Sequence, residues 1–334
     1  MLARLVAVAL LALVAVDTFR TVLLPSSHGA FARLWARGLW RLAALVPGRV
    51  GYAARQAAGP LSVMMTIATW VVLLWIAFAL IFLPAVGTLG YSSDVKFEGN
   101  DLVAALYLSG TVLTTLGLGD VAAQTDGLRL IVILESAGGL ALFTAALGYL
   151  PALYSVVSDL RIAAEAISDL EATTPERAVA LLQEDAVLTL EAVRRDVISA
   201  RQQLLRFPVL HYFHPPVGQS VLGVVEGATM LWLVARFGLS GEAHPSVRRQ
   251  ACSLELALRR LVNDTARYVG DDAGGEGRTA ALDQVARVRA AVSELEAWTA
   301  DDDEPDAEAL DDLARTNAVM RRYAATHGYP VVDA

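Results

Sequence analysis

The sequence lacks the residues on which several classes of protein depend. Its 334 residues include one cysteine, Cys252, which excludes an intrachain disulfide, and no cysteine or histidine stands at metal-site spacing. No nucleophile is paired with a base in a recognisable catalytic pattern, so we expect neither an enzyme nor an enzyme cofactor. A nucleic-acid partner is not expected either. The lone cysteine is most simply a small residue on a packed helix.

Three further absences restrict how the protein could be regulated. No βαβ pattern and no G-x-G-x-x-G after a strand are present, which argues against a nucleotide-binding domain. No apolar segment repeats arginine as a voltage-sensing helix must, because Arg4 and Arg20 are too few and too far apart. The acidic run at 301–304 lacks EF-hand spacing and is interpreted as a linker. His211 and His214 could sense pH or lie in an ordinary loop, so the regulatory ligand stays unassigned.

Apolar residues are abundant, and their distribution divides the chain. The sequence is 55% hydrophobic with a mean hydropathy of +0.47. Residues 1–154 hold 9 basic and 7 acidic residues, whereas residues 155–334 hold 18 basic and 28 acidic residues, a net charge of −10. We therefore expect a membrane half and an acidic soluble half. The predicted domains are an N-terminal membrane and interfacial region (1–57), a pore region (58–153) and a cytoplasmic helical domain (154–334).

Three membrane spans are predicted, at Leu2–Leu24, Leu61–Leu83 and Leu128–Leu150. The second is 23 residues without a charge, which is long enough to cross a bilayer. The loop between the first two spans has five arginines and no acidic residue, so it should be cytoplasmic. The chain would then be a multi-pass protein of the cell (inner) membrane with a cytoplasmic C-terminal domain. A cleaved signal peptide would begin similarly, but no clear cleavage site is present near Asp17.

Residues 31–45 of this loop have the pattern of a helix at the membrane surface. Arg33, Arg37 and Arg41 recur every four residues on one face, and leucine and tryptophan side chains on another face could meet lipid. The arginines are a candidate site for anionic lipid. A passive interfacial anchor is the alternative interpretation.

The strongest motif lies between the second and third spans. It consists of the consecutive residues Thr114, Thr115, Leu116, Gly117, Leu118, Gly119 and Asp120. Consecutive carbonyls point one way only if the backbone alternates between right- and left-handed regions, and glycine enters the left-handed region at little cost. A helix from about Asp101 to Thr114, with Asn100 as its N-cap, would direct the negative end of its dipole toward this segment.

These residues and their flanks resemble the pore of the potassium channel family over about residues 61–150. The resemblance implies an all-α membrane fold with a re-entrant pore helix and a selectivity filter, assembled as a homotetramer. It also implies that backbone carbonyls of the filter replace the water around a permeant K⁺ and bind it. K⁺ is the one ion expected here. The filter residues assigned in this way are Thr115, Leu116, Gly117 and Leu118.

The resemblance also assigns supporting residues to the filter. Gly119 and Asp120 match its outer mouth, and Thr114 immediately precedes its inner end. Tyr107 falls where the family commonly has a tryptophan that bonds the aspartate, and its hydroxyl could serve Asp120 in the same way. Thr111 stands where some bacterial relatives carry a glutamate.

Two features of the third span have more than one interpretation. Gly138 and Gly139 lie where inner helices of the family often carry a hinge, but they could equally permit close helix packing. Glu135 is an ionisable residue within a span. It could bond Ser109 or Thr111 on the pore helix, face an aqueous cavity and attract cations, or make an ordinary interhelical hydrogen bond.

The C-terminal half is predicted to be a succession of helices, at about 174–207, 218–237, 245–269, 278–298 and 305–327, with linkers at 270–277 and 301–304. The most apolar of them, Gly218 to Phe237, has only nine uncharged residues between Glu226 and Arg236, so it is expected to be buried rather than membrane-spanning.

The most probable function from sequence is a potassium channel gated or assembled by this helical domain. Leu118 replaces the common filter tyrosine, and Leu108 replaces an aromatic residue that often bonds it. This matched apolar exchange keeps a nonselective cation channel open as an alternative. A membrane-anchored signalling or scaffold protein with a vestigial pore is the third possibility.

Overall fold

The computed structural model describes residues 2–24, 29–92, 100–172, 174–238, 244–269, 277–293, 306–327 and residue 329. The chain divides into two compact units, Met1–Tyr154 and Ser155–Ala334. Most of the described residues are helical, which confirms the all-α class. The predicted linkers lie outside the described residues, except for Gly277.

Unit 1 contains the predicted membrane spans and the motif at residues 114–120. Its elements are α1 (Leu2–Thr18, extended by a π-helical turn Phe19–Leu23), α2 (Ala30–Ala44), α3 (Gly48–Phe82, followed by a 3₁₀ turn Leu83–Thr88), β1 (Leu89–Tyr91), α4 (Asp101–Leu113), β2 (Val121–Ala123) and α5 (Asp126–Ser168). Helix α5 continues through Pro151 into the residues of unit 2. The helix is therefore longer than the predicted third span, Leu128–Leu150, which lies within it.

In the described part of the chain, four helices are long and apolar enough to cross a membrane: Leu2–Leu23, Gly48–Thr88, Asp126–Ser168 and Val221–Gly238. The first three match the predicted spans. The fourth is covered by its own unit, since Val224, Leu231 and Val234 are fully buried. A lipid-facing span would instead present apolar side chains outward, so this helix agrees with the prediction of a buried core helix.

Helix α2 packs along α3 instead of lying free at the membrane surface. Its buried face consists of Ala32, Ala36, Trp40 and Ala43. Trp35, which was expected to meet lipid, donates its indole N–H to Thr69 Oγ1 of α3 at 2.8 Å. The predicted helix is confirmed, but Trp35 belongs to a helix–helix contact, because Thr69 within the second predicted span accepts its indole N–H.

A buried carboxylate joins α1, α2 and α3. Asp17 of α1 is 4% exposed. Its Oδ1 accepts hydrogen bonds from the backbone N–H groups of Ala30 and Phe31, and its Oδ2 accepts from Trp70 Nε1 at 2.9 Å. Asp17 thus caps the N-terminus of α2 from another helix, where the helix dipole favours negative charge. Gly29 permits this approach, because a Cβ there would overlap Asp17.

Unit 2 is a helical domain built around α7. Its elements after α5 are α6 (Pro175–Arg206), 3₁₀ turns at Pro208–Tyr212 and Val217–Gln219, α7 (Val221–Leu233, extended by a π-helical turn Val234–Gly238), α8 (Pro245–Val269), α9 (Gly277–Ser293) and α10 (Ala307–His327). Thr174 caps α6 by accepting from Arg177 N–H. The helix is interrupted at Asp185 (φ −157°, ψ 86°), whose Oδ1 accepts from Leu188 N–H at 3.0 Å. Asp185 therefore starts a second helical segment that the sequence pattern did not predict.

The histidines of the 208–214 segment are buried among tyrosines. His211 is 3% exposed and stacks on Tyr268 of α8 with ring centroids 4.0 Å apart. His214 is 4% exposed and lies against Tyr329, with centroids 4.4 Å apart. These contacts attach the connection between α6 and α7 to α8 and to Tyr329, so both histidines are part of the core.

A buried arginine forms ion pairs at the C-terminal end of the α7 segment. Arg236 is 8% exposed and lies 2.9 Å from Asp306 Oδ2 and 3.6 Å from Glu255 Oε2. Arg248 Nη1 donates to the Arg236 carbonyl at 2.7 Å, and Arg289 Nε donates to the Phe237 carbonyl at 3.2 Å. Burial raises the pKa of Glu255 despite its arginine neighbours. The effect of desolvation on the pKa of Glu255 is therefore larger than the opposite effect of its arginine neighbours. Without these arginines, the ionised carboxylate would be less stable still.

We predict that Arg236→Met destabilises unit 2 by about 1–3 kcal/mol, because the largely buried Glu255 loses one of its two arginine neighbours and keeps only Arg259 at 3.4 Å and the indole N–H of Trp232 at 3.3 Å. Arg278→Met is the matched control, since Arg278 and Asp311 form an exposed pair 3.6 Å apart, and such pairs contribute about 0–1 kcal/mol. Hydrogen exchange of α7 amides in the full chain measures both losses. Equal effects of the two substitutions would contradict the assignment.

Candidate functional site

The backbone between α4 and β2 alternates in handedness. Thr115, Gly117 and Gly119 have φ values of +58°, +53° and +78°, whereas Leu116 and Leu118 between them do not have positive φ. This alternation is the geometry that brings successive carbonyls to one side of a strand. Thr115 adopts a left-handed conformation that costs an L-residue free energy, so its surroundings must stabilise it.

The C-terminal end of α4 holds the start of this segment. The Thr115 N–H donates to the Val112 carbonyl at 3.0 Å, and the Gly117 N–H donates to the Thr111 carbonyl at 3.2 Å. The Thr114 hydroxyl donates to the Gly110 carbonyl at 2.6 Å. The Thr111 hydroxyl donates to the Leu108 carbonyl of its own helix, so Thr111 contacts the segment through its backbone. The N-cap prediction is also confirmed, since Asn100 Oδ1 accepts from Val103 N–H at 3.2 Å.

A tyrosine–aspartate pair lies at the other end. The Tyr107 hydroxyl donates to Asp120 Oδ2 at 2.5 Å, as the sequence resemblance suggested. Asp120 Oδ1 accepts from the Val121 N–H at 3.0 Å, and the Asp120 carbonyl accepts from the Ser92 N–H at 2.8 Å. Asp120 is thereby fixed by α4 and by the chain that leaves α3.

A short antiparallel ladder continues this support. Strands β1 and β2 pair Leu89 with Ala123, Gly90 with Ala122, and Tyr91 with Val121. Three-residue strands leave too little periodicity to be read from sequence, so this ladder was not predicted. Because β2 follows Asp120 directly, the ladder anchors the exit of the segment to the end of the α3 region.

The two glycines of α5 have different surroundings. A Cβ on Gly139 would lie 2.4 Å from the Leu113 carbonyl oxygen of α4, whereas a Cβ on Gly138 would meet nothing within 4 Å. Helix α5 is continuous through both positions. Gly139 therefore supports the close-packing interpretation, since only a residue without a side chain lets α5 approach the end of α4. A hinge remains a prediction for conformations other than this one.

We predict that Gly139→Ala destabilises unit 1 by about 1–3 kcal/mol, because the new methyl group overlaps the Leu113 carbonyl, which cannot move without displacing the alternating segment that follows α4. Gly138→Ala should cause no comparable loss, since alanine favours helix by up to about 1 kcal/mol over glycine. Thermal unfolding in detergent, followed by helical circular dichroism, compares the two variants. Equal stability of both would show that the close contact is not required.

Glu135 contacts the pore helix at Ser109. It is fully buried, and its Oε1 lies 2.5 Å from Ser109 Oγ. Ser109 Oγ is also 3.0 Å from the Trp75 carbonyl of α3, and Trp75 Nε1 donates to the Leu106 carbonyl at 2.8 Å. Of the alternatives left by the sequence, the structure favours the bond to Ser109 over one to Thr111 or an exposed position in a cavity.

Comparison with known proteins agrees with this geometry. A family model described as "Ion channel" matches residues 64–155. Residues 64–155 form an ion-channel domain. The resemblance drawn from the sequence is confirmed for this part of the chain, which contains most of α3, all of α4, the alternating segment and the first part of α5. Ion-channel function for this domain and a location in a membrane follow from the match.

A relative with a similar sequence is named only as a membrane protein. The chain is similar to the uncharacterized membrane protein YdjJ of Bacillus subtilis (strain 168), with 27% identity over 241 residues, covering 68% of this chain and 67% of that protein. No solved structure matches the chain significantly. The functional information from these comparisons therefore concerns residues 64–155. A role for unit 2 has to be inferred from its own structure.

Proposed function

We propose that the protein is a potassium-selective channel that conducts K⁺ passively through a homotetrameric pore. The observation that supports this most is the alternating backbone of Thr115, Gly117 and Gly119. Aligned carbonyls can replace the water around a dehydrated cation without any charged side chain. The permeant ion would bind the carbonyls of Thr115, Leu116, Gly117 and Leu118.

A single chain cannot surround an ion with one such segment, so the proposal requires symmetric copies. Leu116 and Leu118 are 66% and 61% exposed in one chain, although they follow a buried helix end. Burial of these leucines between neighbouring copies would remove that apolar surface from water. Four copies would produce closed carbonyl rings of the kind that potassium filters use.

We predict a tetramer when the full chain is extracted in mild detergent. Light scattering coupled to size exclusion measures the protein mass separately from the detergent mass. A mass four times the 35.6 kDa of one chain is expected. A monomer or dimer that retained full ion conduction would contradict the proposed pore.

Purified protein in liposomes tests conduction and selectivity together. Potassium flux should be present in the wild type, and we predict that Gly117→Ala abolishes it. A β-carbon at this left-handed position costs roughly 1 kcal/mol or more in each subunit and turns carbonyls away from the axis. Gly127→Ala is the matched control, because Gly127 is helical and has open space around its Cβ position.

Normal potassium flux in Gly117→Ala would overturn the filter assignment, provided that the variant forms the same oligomer as the wild type. Loss of flux in the Gly127→Ala control as well would mean that the assay reports general damage to the fold. Sodium gradients in the same liposomes address selectivity directly.

A nonselective cation channel is the second candidate. It is favoured by the apolar pair Leu118 and Leu108, since neither side chain can make the hydrogen bond that commonly stiffens the filter. Equal potassium and sodium fluxes would support this candidate. Fluxes that follow only the potassium gradient would support selectivity.

The remaining parts of the chain suggest a topology and a regulatory role. We place the arginine-rich α2 and unit 2 on the cytoplasmic side of the cell membrane, since the basic loop should remain inside. Arg33, Arg37 and Arg41 are exposed and could bind anionic lipid. The net negative charge of unit 2 would raise the local concentration of cations. We assign assembly and gating to this unit, with its stimulus unassigned.

A further inference from the structure

Glu135, Ser109 and the Trp75 carbonyl form a buried contact that contains more acceptors than hydrogens. Ser109 Oγ lies within hydrogen-bond distance of both Glu135 Oε1 (2.5 Å) and the Trp75 carbonyl (3.0 Å). A serine hydroxyl has one hydrogen, and a carbonyl oxygen can only accept. If Glu135 is ionised, it can also only accept. Both contacts can therefore be hydrogen bonds at the same time only if Glu135 is protonated and supplies the second hydrogen.

The burial of Glu135 leads to the same conclusion. Its side chain is fully buried, and its Oε2 has no hydrogen-bond partner among the described residues. An ionised carboxylate here would have at most one hydroxyl donor for two oxygens, which leaves most of its desolvation cost uncompensated. A neutral carboxyl avoids that cost and satisfies the serine.

No positive charge lies nearby on the helices that pack here. The ionisable residues of α4 are Asp101 and Tyr107, and Tyr107 is already bonded to Asp120. The ionisable residues of α3 are Arg49, Tyr52 and Arg55, at least twenty residues before Trp75. On α5 itself, the nearest is Arg129, which pairs with Asp126 at 3.5 Å. None of these groups contacts Glu135 to compensate a negative charge.

Asp17 provides a contrast within the same unit. It is also buried, but its oxygens accept three N–H groups, from Ala30, Phe31 and Trp70, at the N-terminus of α2. An acceptor-only carboxylate fits that environment, since every contact is a donor and the helix dipole adds to them. Asp17 and Glu135, the buried carboxyls among the described residues of unit 1, therefore have opposite hydrogen-bond requirements.

We infer that Glu135 is a neutral carboxylic acid that donates a hydrogen bond to Ser109, which in turn donates to the Trp75 carbonyl. This relay joins α5, α4 and α3 at one point. Glu135 is a positioning residue, because it acts on the filter through the pore helix. Loss of its proton would break the relay, so conduction should fail when the medium becomes alkaline enough to remove it.

Infrared spectroscopy of the full chain in liposomes tests the protonation state without requiring conduction. At neutral pH, the wild-type minus Glu135→Gln difference spectrum should contain a protonated-carboxyl C=O stretching band. Ser109→Ala should shift this band, because the acid loses its acceptor. Asp17→Asn is the matched control and should remove carboxylate bands only. Loss of a carboxylate band in Glu135→Gln, or of the protonated band in Asp17→Asn, would overturn the inference.

The functional arm follows flux as the pH is raised and rests on the proposed channel function. Wild-type flux should fall over the same pH range in which the protonated-carboxyl band disappears. Glu135→Gln should retain flux across that range, since its amide N–H can still donate to Ser109. Identical pH profiles in the wild type and Glu135→Gln would contradict the relay. If no variant conducts at any pH, the channel proposal fails, and the infrared result still decides the protonation state.

Discussion

The alternating backbone handedness of residues 115–119 is the constraint on which the rest of unit 1 depends. Three positions have positive φ, and one of them is a threonine, for which the left-handed conformation costs free energy. An unsupported peptide would not keep that conformation. The elements on both sides must therefore stabilise this conformation. The contacts that surround the segment provide this stabilisation.

The support is distributed over several elements rather than concentrated in one bond. The end of α4 holds the inner end through backbone hydrogen bonds, while Tyr107 and the β1–β2 ladder hold the outer end. Gly139 lets α5 reach the end of α4, and Trp75 joins α4 to α3. Asp17 extends this arrangement to α1 and α2. The alternating segment thus rests on hydrogen bonds and close packing from several elements of an apolar domain.

Much of this could be predicted from sequence because it depends on local chemistry. The filter motif, the Asn100 cap and the apolar spans have strong patterns, and the partner of Tyr107 followed from the resemblance. The long-range contacts had no such signal. Nothing in the spacing of Asp17, Ala30 and Trp70 indicates that they meet, and the phase of α5 had to be known before Glu135 could be assigned to Ser109. Three-residue strands and the continuation of α5 through Pro151 also depend on tertiary packing, which outweighs local preference.

We propose that the alternating segment forms rings of oxygen atoms around a potassium ion. A density map of the full chain in potassium chloride, at a resolution that separates neighbouring ion positions, tests this arrangement. We expect a fourfold axis with ion density between the carbonyls of residues Thr115 to Leu118, and weaker or rearranged density when sodium replaces potassium. A map in which these residues lie away from the symmetry axis, or in which their carbonyls point into the protein, would contradict it.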